Sequence, residues 1–226
     1  MIAVKGCFYI KNELIQPANA SKLDSANHYN NRLEVISEPS GSAETRPDYN
    51  IHALGFDLSI EVPKTWHVLT SAQVSEIREV ANDAYGADPA KQTVFAANAT
   101  RDPGENDAQY RVSFVENSFD EKLLLQASSA ELRAGCEDIY NSWLQNPPTP
   151  RPIGRPQCST VMFNRKPALL TSYQRHGQSD STWTVNIVQI PLPSNSVMIT
   201  FSTKDGSTLA KETVSRINSS FSFHAP

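Results

Sequence analysis

Four segments in quick succession, Ser159 to Asn164, Ala168 to Arg175, Trp183 to Ile190 and Val197 to Thr203, are rich in β-branched and apolar residues and separated by short turns. The turns carry Asn164-Arg165-Lys166-Pro167, Gly177 and Pro191-Leu192-Pro193-Ser194-Asn195. Parallel strands need a crossover of a dozen or more residues, and these connections leave no room for one. Neighbouring segments must therefore pair antiparallel. A meander of this kind has two faces to cover, and that requirement governs how the rest of the chain is read.

Helices available for the covering are legible from their caps. Thr70 with Gln73 opens a helix to Tyr85 whose stripe is Val74, Ile77, Ala81 and Ala84, ended by Gly86. Ser128 with Glu131 opens a second, with Leu132, Cys136, Ile139 and Trp143 recurring at spacings of three and four. Pro147-Pro148-Thr149-Pro150-Arg151-Pro152 stops it and makes a stiff extended connector. Ser207 caps a final helix with Leu209, Val214, Ile217 and Phe221 turned inward. Thr93 to Ala99 and Tyr110 to Glu116 are a strand pair joined by a turn-rich loop. Ile51 to Val62 is one strand with Phe56, Leu58, Ile60 and Val62 on a shared face, closed by Pro63 and Trp66. Strands and helices in this order spell an α+β domain, an antiparallel β-sheet flanked by helices.

Residues 1–50 differ. From Gln16 to Asn50 the chain is dominated by Ala, Ser, Asn, Pro and charges, a composition that buries too little surface to offset its ordering entropy. We read 1–50 as an N-terminal arm, with Leu33 to Ile36 a short edge strand, and 51–226 as the folded domain.

With 226 residues and a net charge of −4, the chain lacks the cationic surplus that general nucleic-acid or anionic-membrane binding needs. No apolar run approaches the roughly 20 residues of a transmembrane segment. Its beginning as written has no uninterrupted apolar leader, which points to the cytoplasm; a missing leader would point to the periplasm or to secretion. Cys136 and Cys158 are open to two readings, a single disulfide in an oxidising compartment or two small buried side chains.

Three places resemble the PsbP-like family, whose members include an extrinsic photosystem II subunit, a Ran-binding import factor and bacterial lipoproteins and chaperones. These are the strand ending in Pro63-Lys64-Thr65-Trp66, the turn Arg165-Lys166-Pro167-Ala168 leading into Leu169, Leu170 and Tyr173, and the close Val214 to Phe221. The resemblance spans about residues 51–223. It implies an α/β/α sandwich, a non-catalytic protein-binding role and no cofactor. The N-terminal arm and the Pro-rich connector depart from the family pattern.

Sites of chemistry are few. His28, His52, His67, His176 and His224 are dispersed, and Asp102, Glu105 and Asp107 share one turn without the ligand spacing of a calcium loop. Neither a nucleophile elbow nor a glycine-rich phosphate loop occurs. The binding candidates are Trp183, read as an exposed anchor near a polar loop, and a basic patch. That patch is drawn from Arg165, Lys166, Arg175 and the neighbouring Arg151 and Arg155, with His176 at its strand end. The expected function is a protein-binding module, an assembly factor, adaptor or chaperone of bacterial type, whose partner is another protein. The alternatives are an envelope or secreted domain that binds a small ligand, and an unrecognised hydrolase or metal enzyme.

Overall fold

The computed structural model describes residues 34–37, 48–75, 93–102, 104–116, 119–145, 150–177 and 180–223. The main sheet is built from β1 (Glu34–Ser37), β4 (His67–Val68), β5 (Thr93–Asn98), β6 (Ala108–Val115), β7 (Pro152–Phe163), β8 (Lys166–His176), β9 (Thr182–Pro191) and β10 (Ser196–Lys204). Its order is β1-β7-β8-β9-β10-β6-β5-β4. The pairs from β7 round to β4 are antiparallel, and for β7–β8, β8–β9 and β9–β10 the short connections require it. Among the described strands only β1, drawn from the arm, runs parallel, beside β7. A smaller sheet, β11-β3-β2, consists of β2 (Tyr49–Gly55), β3 (Leu58–Pro63) and β11 (Ser222–Phe223).

Strand alternation gives the main sheet two unlike faces. Val112, Phe114, Val161, Phe163, Val188, Ile190, Val197 and Ile199 point inward. They meet Leu58, Ile60 and Val62 of β3, and Ala210, Val214 and Ile217 of the closing helix (Thr208–Ser220). Burying a side chain of this size stabilises by about 1.5–3 kcal/mol, so this layer is the main apolar core. A second, small cluster of Phe119, Leu124 and Leu169 lies under two helices on the other face. We label the helices α1 (Glu121–Gln126), α2 (Ser129–Gln145) and α3 (Thr208–Ser220). Helices outside, sheet in the middle and a hairpin with α3 inside make the α+β sandwich that the sequence implies.

Caps hold where the residues call for them. Gln73 N–H donates to Thr70 Oγ1 at 3.3 Å and Thr70 N–H to Gln73 Oε1 at 2.9 Å. Ser128 and Glu131 close an equivalent box. The Glu131 carboxyl is held below its ordinary pKa by the Ser128 backbone N–H and then by its hydroxyl. Residues 71–75 are helical, with Val74 buried, and the rest of the Thr70–Tyr85 helix lies outside the described residues.

Several expectations are corrected. Ile51 to Val62 is not one strand. Gly55, Phe56 and Asp57 take φ of 92°, 50° and 56°, a tight reversal that makes β2 and β3 a hairpin. Phe56 is thereby turned out to the surface, its ring on Phe114 at 4.6 Å. Leu209, read as inward, is 73% exposed. The helix α1 was not expected at all; Asp120, whose carboxylate accepts from Leu123 N–H at 2.7 Å, opens it. The connector of Pro147 to Pro152 enters β7 earlier than Ser159, through a bulge between Ile153 and Gln157. Of the two readings open for Cys136 and Cys158, the structure has the disulfide, with Cα atoms 5.8 Å apart, fastening α2 to β7.

Candidate functional site

The expected basic patch does not assemble as one: Arg151, whose carbonyl accepts from His176 N–H at 3.2 Å, stands beside Arg175 and His176, but the other members lie apart. Arg165 and Lys166 sit at the β7–β8 turn, at one end of β8, while Arg175 and His176 close its other end. At about 3.3 Å per residue, an eleven-residue strand separates the two groups by roughly 33 Å. Arg155 is also withdrawn, because it pairs with Glu137 and lies over the Tyr140 ring of α2. Trp183 is buried, not an exposed anchor. Gly177 is why it fits: a Cβ there would overlap the indole. The Trp183 indole N–H donates to Ser181 Oγ at 3.2 Å, and the Arg175 guanidinium covers its ring at 5.1 Å.

Arg175 does more than roof Trp183. Its Nη2 donates to Gln109 Oε1 on β6 at 3.2 Å, so the side chain reaches across the outer face of β9 and β10. Register explains the reach. Arg175 pairs with Trp183, which pairs with Lys204; one row along, Tyr173, Val185, Ser202 and Gln109 are aligned. In the next row stand Thr171, Ile187, Thr200 and Arg111. Arg111 and Arg175 are thus neighbours on one face although 64 positions apart in the chain. Sequence reading missed Arg111. The available signal was the alternation in Gln109-Tyr110-Arg111-Val112-Ser113-Phe114, which sets Arg111 opposite the core-facing residues.

Electrostatics agrees with the geometry. Burial lowers the pKa of Arg175; the Tyr173 phenol partly offsets this, and nearby Arg111 lowers it further. Arg111 is an exposed residue whose pKa is nevertheless lowered by the protein crowding its flanks, with Tyr173 again acting the other way. Both remain cationic at any ordinary pH, since a guanidinium does not give up its proton in proteins. Trp143 of α2 stacks edge-on against Tyr173 at 4.8 Å and forms an aromatic wall at the β8 side of this surface.

The remaining candidates do not converge. His52 packs beside Phe95 with its pKa lowered by burial, His67 lies on β4, and His176 ends β8. His28 and His224 fall outside the described residues. Asp102 Oδ1 accepts from Gly104 N–H at 2.8 Å within the turn, and Asp107 accepts from Ser207 Oγ, the cap of α3, at 2.6 Å, so two of these carboxylates are engaged in holding the turn and tying it to α3. Among the described residues no three His, Cys, Asp or Glu side chains gather as a metal site, and no helix is long and apolar enough to cross a membrane.

No protein-family model matches the chain, and no curated protein sequence matches it at a significant level. Similar solved structures do exist. A protein of Bacteroides thetaiotaomicron has 8% identity and a TM-score of 0.42, over 75% of this chain and 46% of its own, so this chain spans less than half of that one. LpqN, involved in cell envelope biogenesis of Mycobacterium tuberculosis, has 15% identity and a TM-score of 0.39, over 79% and 86%. The cyanobacterial PsbP of Synechocystis has 12% identity and a TM-score of 0.48, over 82% of this chain and 98% of its own. PsbP, for which the resembled family is named, is thus among the solved structures to which this chain is similar.

Proposed function

We propose that this chain is a non-catalytic protein-binding module, an assembly factor, adaptor or chaperone of bacterial type. It meets its partner on the outer face of β6, β10, β9 and β8. One observation carries the reading: Arg175 is laid over Trp183 and tied to Gln109, beside an Arg111 that has no ion-pair partner among the described residues. Arg and aromatic residues are enriched where proteins meet, and a pre-positioned Arg loses little entropy on binding. The Cys136–Cys158 disulfide favours an oxidising compartment, and hence the envelope or secreted setting over the cytoplasm.

A photo-cross-linking residue at Lys204, exposed at the end of the outer face, tests this against one at Lys211 on α3. In cells that make the protein, the reading expects a protein adduct from Lys204 and none from Lys211. Adducts from Lys211 alone would place recognition on the opposite side and end the proposal.

A further inference from the structure

The six strands from β5 to β10 contain no Asp and no Glu, yet they carry Arg111, Arg155, Lys166, Arg175 and Lys204. This sheet belongs to a chain with 24 acidic residues and a net charge of −4. Arg155 is spent on Glu137, and Lys166 stands at the far hairpin end. That leaves Arg111, Arg175 and Lys204 on one stretch of outer face. Of the acidic residues near that end, Asp180 of the β8–β9 connection is exposed, and two others are engaged elsewhere. Asp205 accepts from Thr184 and Gln174, whose register puts them on the inner face, and Asp107 accepts from Ser207. On α2, Glu131 caps the helix, while Asp138 is exposed.

Neutral partners position these cations. Gln109 accepts from Arg175 and Trp183 supplies a ring face, so neither removes its charge. Arg111 adds a second cation close enough to disfavour the first. Two like charges on a partly dried surface repel, and an anion set between them relieves that repulsion while receiving the forked N–H donors of both. Tyr173 and Trp143 flank the place with aromatic surface, and Thr200 and Ser202 line it with hydroxyls.

We propose that Arg111 and Arg175 jointly bind a carboxylate of an acidic peptide segment belonging to the protein partner, laid along the outer face against Tyr173 and Trp143. The inference rests on the reading of this face as the recognition surface and adds the chemistry of what it recognises. An acidic segment suits an open face better than a small anion does, because Arg111 stands exposed and Lys204, in the row of Arg175 and Trp183, continues the positive surface on the side away from Arg111. Carboxylates also match the planar fork of a guanidinium in two-point hydrogen bonding.

The test is fluorescence polarisation with a labelled Glu-rich peptide containing one aromatic residue, and with its Glu-to-Gln counterpart. The expected result is binding of the acidic peptide only, weakened by added salt and by roughly tenfold or more in R111Q and in R175Q. The double variant R165Q/K166Q, altered at the other end of the sheet, keeps wild-type affinity. Equal binding of the Gln peptide, or undiminished binding by R111Q, overturns the proposal. So does binding of anionic phospholipid vesicles or single-stranded DNA through these arginines when the acidic peptide fails to bind. Circular dichroism of each variant separates loss of binding from loss of fold, and R111Q removes only an exposed side chain. If the Lys204 cross-link persists while the acidic peptide is ignored, the surface stands and the charge assignment falls; if that cross-link is absent, the surface itself falls.

Discussion

The Tyr110 hydroxyl donates a 2.9 Å hydrogen bond to Asn218 Oδ1, a fully buried contact between β6 and α3. It locks the closing helix to the sheet at a point where Tyr110 also stacks with Phe201, ring centroids 6.1 Å apart. Asn218 receives a second tie, since Asn164 Nδ2 donates to its carbonyl at 2.8 Å.

Tyr110→Phe leaves the Asn218 amide oxygen without this donor in the core, which costs about 1–3 kcal/mol in denaturant unfolding. The pH dependence has a definite sign. Burial raises the Tyr110 pKa well above its ordinary value, so an unfolded chain loses this proton first as pH rises. Stability from this group is therefore complete below about pH 10 and lost above it. Wild type is expected to lose stability more steeply than Tyr110→Phe in alkaline titrations followed by circular dichroism; parallel curves would refute this.

Asn164 holds φ of 46° in the β7–β8 turn and donates to both the Asn218 and the Phe221 carbonyl, the latter at 2.7 Å. Asn tolerates the left-handed region and Ala does not, so Asn164→Ala adds strain to two lost bonds. Asn164→Gly loses the same two bonds but carries no such strain. Thermal melts are expected to rank wild type above Asn164→Gly and that above Asn164→Ala, with each step about 1 kcal/mol or more.

The disulfide closes a loop across a separation of 22 residues, and the chain-entropy relation puts its contribution at about 3 kcal/mol. Cys136→Ser/Cys158→Ser is expected to lower the denaturation midpoint accordingly. In thiol titration, the denatured but unreduced wild type should show one reactive thiol, Cys7, and three after reduction; three before reduction would count against the bridge.

Removing the roof over Trp183 has an optical readout. Arg175→Ala exposes the indole to water, so emission should shift to the red and acrylamide quenching should increase. Gly177→Ala drives a methyl into the same ring and is expected to destabilise the β8–β9 hairpin as well. Emission unchanged in both variants would mean that Trp183 is not held as described.

Much of the architecture was legible because its causes are local. Alternation and short turns made β7 to β10 antiparallel, and the boxes of Thr70 with Gln73 and Ser128 with Glu131 opened helices where their spacing says they should. The failures share a cause too. Phe56-Asp57 carries no Asn-Gly signal, and period-two alternation continues straight across it, so the hairpin stayed hidden; the Phe56 ring packed on Phe114 accompanies a backbone that its own sequence does not favour. Leu209 stands five positions before Val214, one residue off the four-three-four stripe of Ala210, Val214, Ile217 and Phe221, so the first turn buries Ala210 and turns Leu209 out.

The binding surface divides the same way. That Arg111 and Arg175 each face away from the core follows from the alternation of β6 and β8 alone, because side chains reverse face at every residue. That they meet does not. Their meeting depends on β9 and β10 lying between their strands in a fixed register, and on Gly177 leaving space for Trp183 beneath Arg175. The pairing of Cys136 with Cys158 is likewise a matter of how α2 lies on β7. Local chemistry in the sequence determined the elements and their faces, whereas contacts between residues distant in the chain arise only when packing chooses which faces come together.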